Sequence, residues 1–96
     1  MARYDLAATA EEDLAAIADY TIERFGIEQG RRYRDGLLTA FETLAESPRL
    51  GRDAAHIRPG YRRFEHRSHT IFYRVTDTGV RIMHILHRSM DPERHV

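Results

Sequence analysis

Apolar residues in the first half of the chain recur with a helical spacing. Leu14, Ile17, Ala18, Thr21 and Phe25 share one face of a 3.6-residue period, and Tyr33, Leu37, Ala40, Phe41 and Leu44 repeat it. The pattern predicts two helices. Thr9-Ala10-Glu11-Glu12 reads as a capping box for the first, with the Thr9 hydroxyl accepting from the Glu12 amide and the Glu12 carboxylate reaching back. Glu11, Glu12 and Asp13 also suit the positive end of its dipole. Gly26 is its stop, and the second helix runs from Ile27 or Glu28 to about Glu46, where Ser47-Pro48 ends it. A link of one or two residues favours an antiparallel hairpin.

Elsewhere the period is two. Arg3-Tyr4-Asp5-Leu6 reads as a short strand, and Tyr61–Glu65, His69–Val75 and Val80–His87 as a meander. Pro59-Gly60, His66-Arg67-Ser68 and Thr76-Asp77-Thr78-Gly79 supply the bends and turns. Arg49 to His56 has no period and reads as loop; Asp91-Pro92 starts a short tail. The expected fold is α+β in the order β-α-α-β-β-β, a four-stranded antiparallel sheet packed against an N-terminal helical hairpin. Ile71, Tyr73 and Val75 alternate with Phe72 and Arg74. Val80, Ile82, His84 and Leu86 alternate with Arg81, Met83, Ile85 and His87. Apolar residues thus fall on both faces of the last two strands, so the second face is partly covered or serves for docking.

A chain of 96 residues is expected to form a single domain, 1–96. It has no run of about 18 apolar residues, so no membrane helix is expected. Met1 to Ala10 lacks a basic start followed by an apolar core, so no signal peptide is expected either. Cysteine is absent, which excludes disulfides, thiolate catalysis and Cys-based zinc sites and suits a reducing cytoplasm. The formal net charge is zero but unevenly spread: residues 1–48 hold 5 Arg against 10 Asp and Glu (−5), and residues 49–96 hold 10 Arg against 5 (+5). That split points to a basic sheet facing an anionic partner. Every one of the 15 cationic side chains is Arg, which grips carboxylate or phosphate bidentately and stacks on aromatics; codon bias in a GC-rich genome is the plainer explanation of the missing Lys.

Six histidines raise the question of a metal. His66-x-x-His69 flanks a turn, and His84-x-x-His87 lies on a strand, where residues three apart face opposite ways. No acidic residue completes a cluster, so neither metal nor cofactor is expected. Arg31, Arg32 and Arg34 read as solvated charge paired with Glu28 and Asp35, and Arg62, Arg67 and Arg81 as the solvated face of the sheet. Arg63, Arg74 and Arg88 lie beside aromatics or at strand ends, where they serve either binding or packing. Tyr20 and Tyr33 read as core or core-edge positions of the helices.

These segments together carry a resemblance that covers nearly the whole chain. The element order, Pro48-x-x-Gly51, Gly60-Tyr61-Arg62-Arg63, Ile71-Phe72-Tyr73-Arg74-Val75 and Ile85-Leu86-His87-Arg88-Ser89-Met90 resemble the ParE toxins of bacterial toxin–antitoxin pairs, within the RelE/ParE superfamily. The resemblance implies a cytoplasmic toxin that poisons DNA gyrase without being an enzyme. It also implies a ParD-like antitoxin whose C-terminal segment wraps the toxin in a hetero-oligomer, a heterotetramer being one form. The alternative within the superfamily is the RelE branch, which cleaves messenger RNA on the ribosome.

RNA cleavage needs a base, an acid and cations on the phosphate. Thr70 stands where many RelE-like nucleases carry Arg, the 49–58 loop holds Arg49, Arg52 and Arg58 but no Lys, and no Tyr follows His87. The set is incomplete, although His87, Arg63 and Arg74 can converge if their strands neighbour one another. No catalytic residue is therefore assigned. The expected target-binding residues are His87, Arg88, Ser89 and Met90, supported by Arg63 and Arg74. Charge and position nominate Tyr20, Arg31, Arg34, Tyr61 and Arg62 as antitoxin contacts, through a helix laid on the hairpin and extended backbone at a sheet edge. Zero net charge argues against direct nucleic-acid binding.

Overall fold

The computed structural model describes residues 2–96; Met1, where the leader reading begins, lies outside them. In chain order the elements are β1 (Arg3–Leu6), α1 (Ala8–Phe25), α2 (Ile27–Glu46), β2 (Arg52–Asp53), β3 (Tyr61–His66), β4 (His69–Val75), β5 (Gly79–His87) and α3 (Pro92–His95). One five-stranded sheet has the order β1-β5-β4-β3-β2. The expected α+β class, helical hairpin and meander are present. The fifth strand, β2, is a two-residue pairing of Arg52 and Asp53 with Arg63 and Arg62, inside the segment expected to be loop.

β1 is not antiparallel to its neighbour. It runs parallel to β5, with Arg3 opposite Gly79 and Leu6 opposite Ile82. The helices explain this. α1 continues in the direction of β1, its Thr9 and Asp13 meeting Met83 and Ile85 in turn. α2 brings the chain back, from Tyr33 beside His66 and His69 to Phe41 beside Tyr4. The meander then starts from the same end of the sheet as β1.

The capping box does not form. The β1–β5 ladder carries on to Ala7, whose amide donates to the Ile82 carbonyl at 2.9 Å, so the helix begins directly behind it and Ala7 takes the N-cap position. Thr9 falls inside the first turn, and its hydroxyl donates to the Met83 carbonyl at 2.6 Å. Asp13 Oδ2 accepts from the Ile85 amide at 3.0 Å. α1 thereby caps the edge of β5 that the short β1 leaves open. Gly26 joins the helices as expected; its φ of +93° is a conformation other residues adopt only with strain.

Two cores flank the sheet. Leu14, Leu37, Phe41, Leu44, Ile71, Tyr73, Val80, Ile82 and Ile85 fill the helix side. Ala54, Tyr61, Phe72 and Leu86 fill the other, under Ile57, Met83 and Val96. The second face is therefore largely covered, and Arg58 fastens the cover by donating to the Val96 carbonyl at 3.2 Å. The simple alternation along β5 breaks at a bulge: Phe72 pairs with His84 but Tyr73 with Ile82, leaving Met83 extra. Ile85 consequently joins Val80 and Ile82 on the helix side, and Leu86 goes to the opposite face.

Pro48-x-x-Gly51 has a structural role. The fully buried Tyr73 donates its hydroxyl to the Pro48 carbonyl at 2.6 Å and accepts from the Gly51 amide at 2.9 Å. A Cβ at Gly51 would lie 2.6 Å from the Arg63 carbonyl oxygen, so the close approach requires glycine.

Candidate functional site

The helical hairpin overhangs the sheet. From Asp13, opposite Ile85, α1 runs on for about 18 Å at 1.5 Å per residue, whereas β5 continues for only about 7 Å. Beneath the overhang lie two adjoining hollows of about 470 and 660 Å³ that share Tyr20, His69 and His87. Ala16, Ile17, Ile85, Leu86 and Met90 make the first mostly apolar. Phe25, Arg32, Tyr33, His66 and Arg67 extend the second toward the hairpin tip. Tyr20 and Phe25, which line it, are 57% and 60% exposed, open apolar surface at the groove.

A histidine–tyrosine cluster forms the floor. β3 and β4 are joined by the two-residue turn Arg67-Ser68, with Arg67 at a φ of 53°. His66 and His69 thus pair across the hairpin, and His69 pairs in turn with His87 on β5. Tyr33 of α2 packs on both His66 and His69, at ring-centroid separations of 5.8 and 5.4 Å. His69 and His87 meet edge to face at 5.4 Å. Tyr33 Oη lies 2.6 Å from His69 Nδ1. That contact occupies His69 Nδ1 and leaves Nε2 without a partner among the described residues, and the Tyr33 hydroxyl also reaches the His66 carbonyl at 3.5 Å. The Ser89 amide donates to His87 Nδ1 at 3.2 Å, placing that ring's proton on Nε2.

Burial governs the protonation of this floor. It lowers His69 to about 4, helped by the like charges that His87 and His66 carry when protonated. Burial and Arg67 lower His66, whose Nε2 is the one buried side-chain polar atom without a partner among the described residues. Burial raises Tyr33, against the Ser68 hydrogen bond and Arg67. On the opposite face His84 is lowered by burial, with Asp13 opposing and Arg58 assisting.

The expected site residues separate. His87, Arg88, Ser89 and Met90 form one exposed corner beside the first hollow. Arg63 and Arg74 do not converge with His87. Arg63 stacks on Phe72 at 5.3 Å, on the face away from the helices, and Arg74 lies over Gly60 at the far end of the hairpin. A bulge and an odd–even strand pattern send the two sets to opposite faces. Tyr20, Arg31 and Arg34 are open, and Arg32 rather than its neighbours pairs with Glu28, at 3.7 Å. Tyr61, nominated as a partner contact, is only 5% exposed because it fills the second core. Arg62 donates to the Gly51 carbonyl at 3.1 Å, fastening the 48–51 loop.

The sequence reading took Tyr33 as a core or core-edge position and weighed His69 only as half of a metal pair, and made neither a site residue. The available signal was the two-residue turn: residues flanking such a turn are paired and share a face, so His66 and His69 belong together. Among the described residues no group of three or more His, Cys, Asp or Glu is disposed to hold a metal ion, and no helix is long and apolar enough to cross a membrane.

An α+β sheet under a helical hairpin is shared with solved structures. A chain from the chromosomal ParDE TA system of P. aeruginosa superposes with a TM-score of 0.75 at 21% identity, covering 91% of this chain and 96% of that one. Residues 4–92 match the model of the ParE toxin of type II toxin-antitoxin system, parDE. "Toxin ParE1" of Mycobacterium tuberculosis is 41% identical over 95 residues, 98% of this chain and 97% of the relative. "Toxin ParE1" of Caulobacter vibrioides is 38% identical over 96 residues, 100% of this chain and 99% of the relative. The chain belongs to the ParE toxin family of type II toxin–antitoxin systems.

Proposed function

We propose that the chain acts in the bacterial cytoplasm by binding DNA gyrase and stalling it after strand cleavage, with no bond-breaking chemistry of its own, and that a ParD-like antitoxin neutralises it. The observation that carries the reading is family membership over residues 4–92. The effector region narrows to the exposed corner His87, Arg88, Ser89 and Met90, since Arg63 and Arg74 lie elsewhere. The separation of His87 from those arginines weighs against a nuclease centre built from the three.

The antitoxin is proposed to lay an amphipathic segment in the groove under the hairpin. Apolar lining there offers anchors, and Tyr20 sits where both hollows meet. Arg32, which lines the second hollow from α2, supplies a cation for an acidic segment there, while Arg31 and Arg34, exposed but not among the lining residues, are proposed contacts for a segment laid outside the groove.

Induction in a bacterial host separates the two superfamily mechanisms. The expected result is a DNA-damage (SOS) response with intact messenger RNA. Message cleavage that His87→Ala abolishes would replace this reading with that of a ribosome-dependent endonuclease.

A further inference from the structure

His69 and His87 have features that core packing does not require. Each ring engages its Nδ1 within the protein, with Tyr33 and with Ser89, so Nε2 is the nitrogen each keeps for an outside partner, and in the imidazolium form it is an N–H donor. Both rings line both hollows. Their centroids are 5.4 Å apart, edge to face, which puts both rings within reach of a single carboxylate.

No anion of the protein itself is free to meet these donors. From α1 the groove receives Asp13 and Tyr20, from α2 Arg32 and Tyr33, and from the β3–β4 turn His66 and Arg67. Arg88 follows His87 at the rim. Asp13 is the lone carboxylate among the lining residues, and it is held by the Ile85 amide at 3.0 Å. The groove is therefore a donor-rich, cation-rimmed floor set among Ile17, Tyr20, Leu86 and Met90. Apolar walls favour an amphipathic peptide over a nucleic acid, whose backbone charges would face little but hydrocarbon in the first hollow.

We propose that a carboxylate of the antitoxin's docking segment seats on the Nε2–H groups of His69 and His87, and that docking is thereby coupled to proton uptake. The inference rests on the antitoxin reading above and adds the chemistry of recognition to it. A seated carboxylate favours the imidazolium form, so the bound ring holds a proton that the free ring does not. Affinity then rises as pH falls.

The test uses the purified chain and the antitoxin encoded by its neighbouring gene, whose C-terminal segment is made as a fluorescent peptide. Anisotropy titrations are run at pH 6, 7 and 8. A His69 that takes up a proton on docking at pH 6 and not at pH 8 is expected to make binding about tenfold tighter at pH 6 than at pH 8. His69→Gln is expected to flatten that dependence to within about twofold, and His87→Gln to weaken binding at pH 6 by about fivefold. His56→Gln, at an exposed position of the 54–58 turn, serves as the control, and thermal melts verify that each variant is folded. One acidic residue of the peptide, changed to its amide, should abolish the pH dependence and show no further loss with His69→Gln. Tight binding that ignores pH and both histidine variants overturns this inference and leaves the antitoxin reading standing. Failure of the native chain to bind the antitoxin at all overturns both. Displacement of the peptide by a short single-stranded RNA whose binding depends on His69 and His87 overturns it in favour of a nucleic-acid groove.

Discussion

Stability should fall on mild acidification, and His69 should be a main cause. Burial holds this ring at about 4 against an ordinary 6.5, so the folded chain keeps it neutral while the unfolded chain protonates it. Above about pH 6.5 both states are neutral and the group contributes nothing to pH dependence. As pH falls from 6.5 toward 4 the unfolded state binds the proton first, and stability is lost. A shift of that size corresponds to about 3 kcal/mol for a fully buried ring. His69 is only half-buried, so solvent screening reduces the expected loss to about 1.5 kcal/mol. His66 and His84, both lowered by burial, act in the same direction. The assay is urea unfolding between pH 4.5 and 8, comparing the native chain with His69→Gln. The native curve should drop more steeply below pH 6.5, by about 1.5 kcal/mol over the interval. Parallel curves, or a His69 that titrates near 6.5 by NMR in the folded chain, would refute the reasoning.

Two further outcomes test the frame that holds the groove. Tyr73→Phe removes a hydroxyl bonded to Pro48 and Gly51 in the interior; with two backbone groups left unsatisfied, the loss should be about 2–3 kcal/mol, read as a melting temperature lower by about 10–20 °C. Gly26→Ala forces a side chain into a φ of +93° and should cost about 1–2 kcal/mol in the same melt, with antitoxin affinity reduced if the hairpin tip shifts.

Periodicity carried most of the architecture because each long helix buries one continuous face and the strands alternate between the two cores that flank the sheet. Gly26 and Ser47-Pro48 marked the helix ends, and the meander followed from alternation and turn residues. What sequence did not reveal depended on neighbours distant in the chain. β2 is two residues long, too short to show a period, and exists because Arg62 and Arg63 offer it an edge. Thr9 looked like a cap, yet the Ala7–Ile82 hydrogen bond decided where α1 begins. The extra residue at Met83 reversed the facing of Ile85 and Leu86, and with it the relation of His87 to the arginines. The candidate site divided along the same line. His87 to Met90 lie together at a strand end, as their sequence adjacency implied. Tyr33 and His69 are 36 residues apart and meet only when α2 crosses the β3–β4 turn.

Gyrase itself offers the most direct test of the proposed function. The purified chain is added to purified gyrase with relaxed and supercoiled plasmid and ATP, and linear DNA is measured after denaturation of the enzyme. The expected result is inhibited supercoiling with accumulated cleaved DNA, relieved by the antitoxin and weakened by a combined His87→Ala and Met90→Ala variant that still melts like the native chain. Undiminished supercoiling and no trapped cleavage, with a chain that is folded and binds its antitoxin, would contradict gyrase as the target.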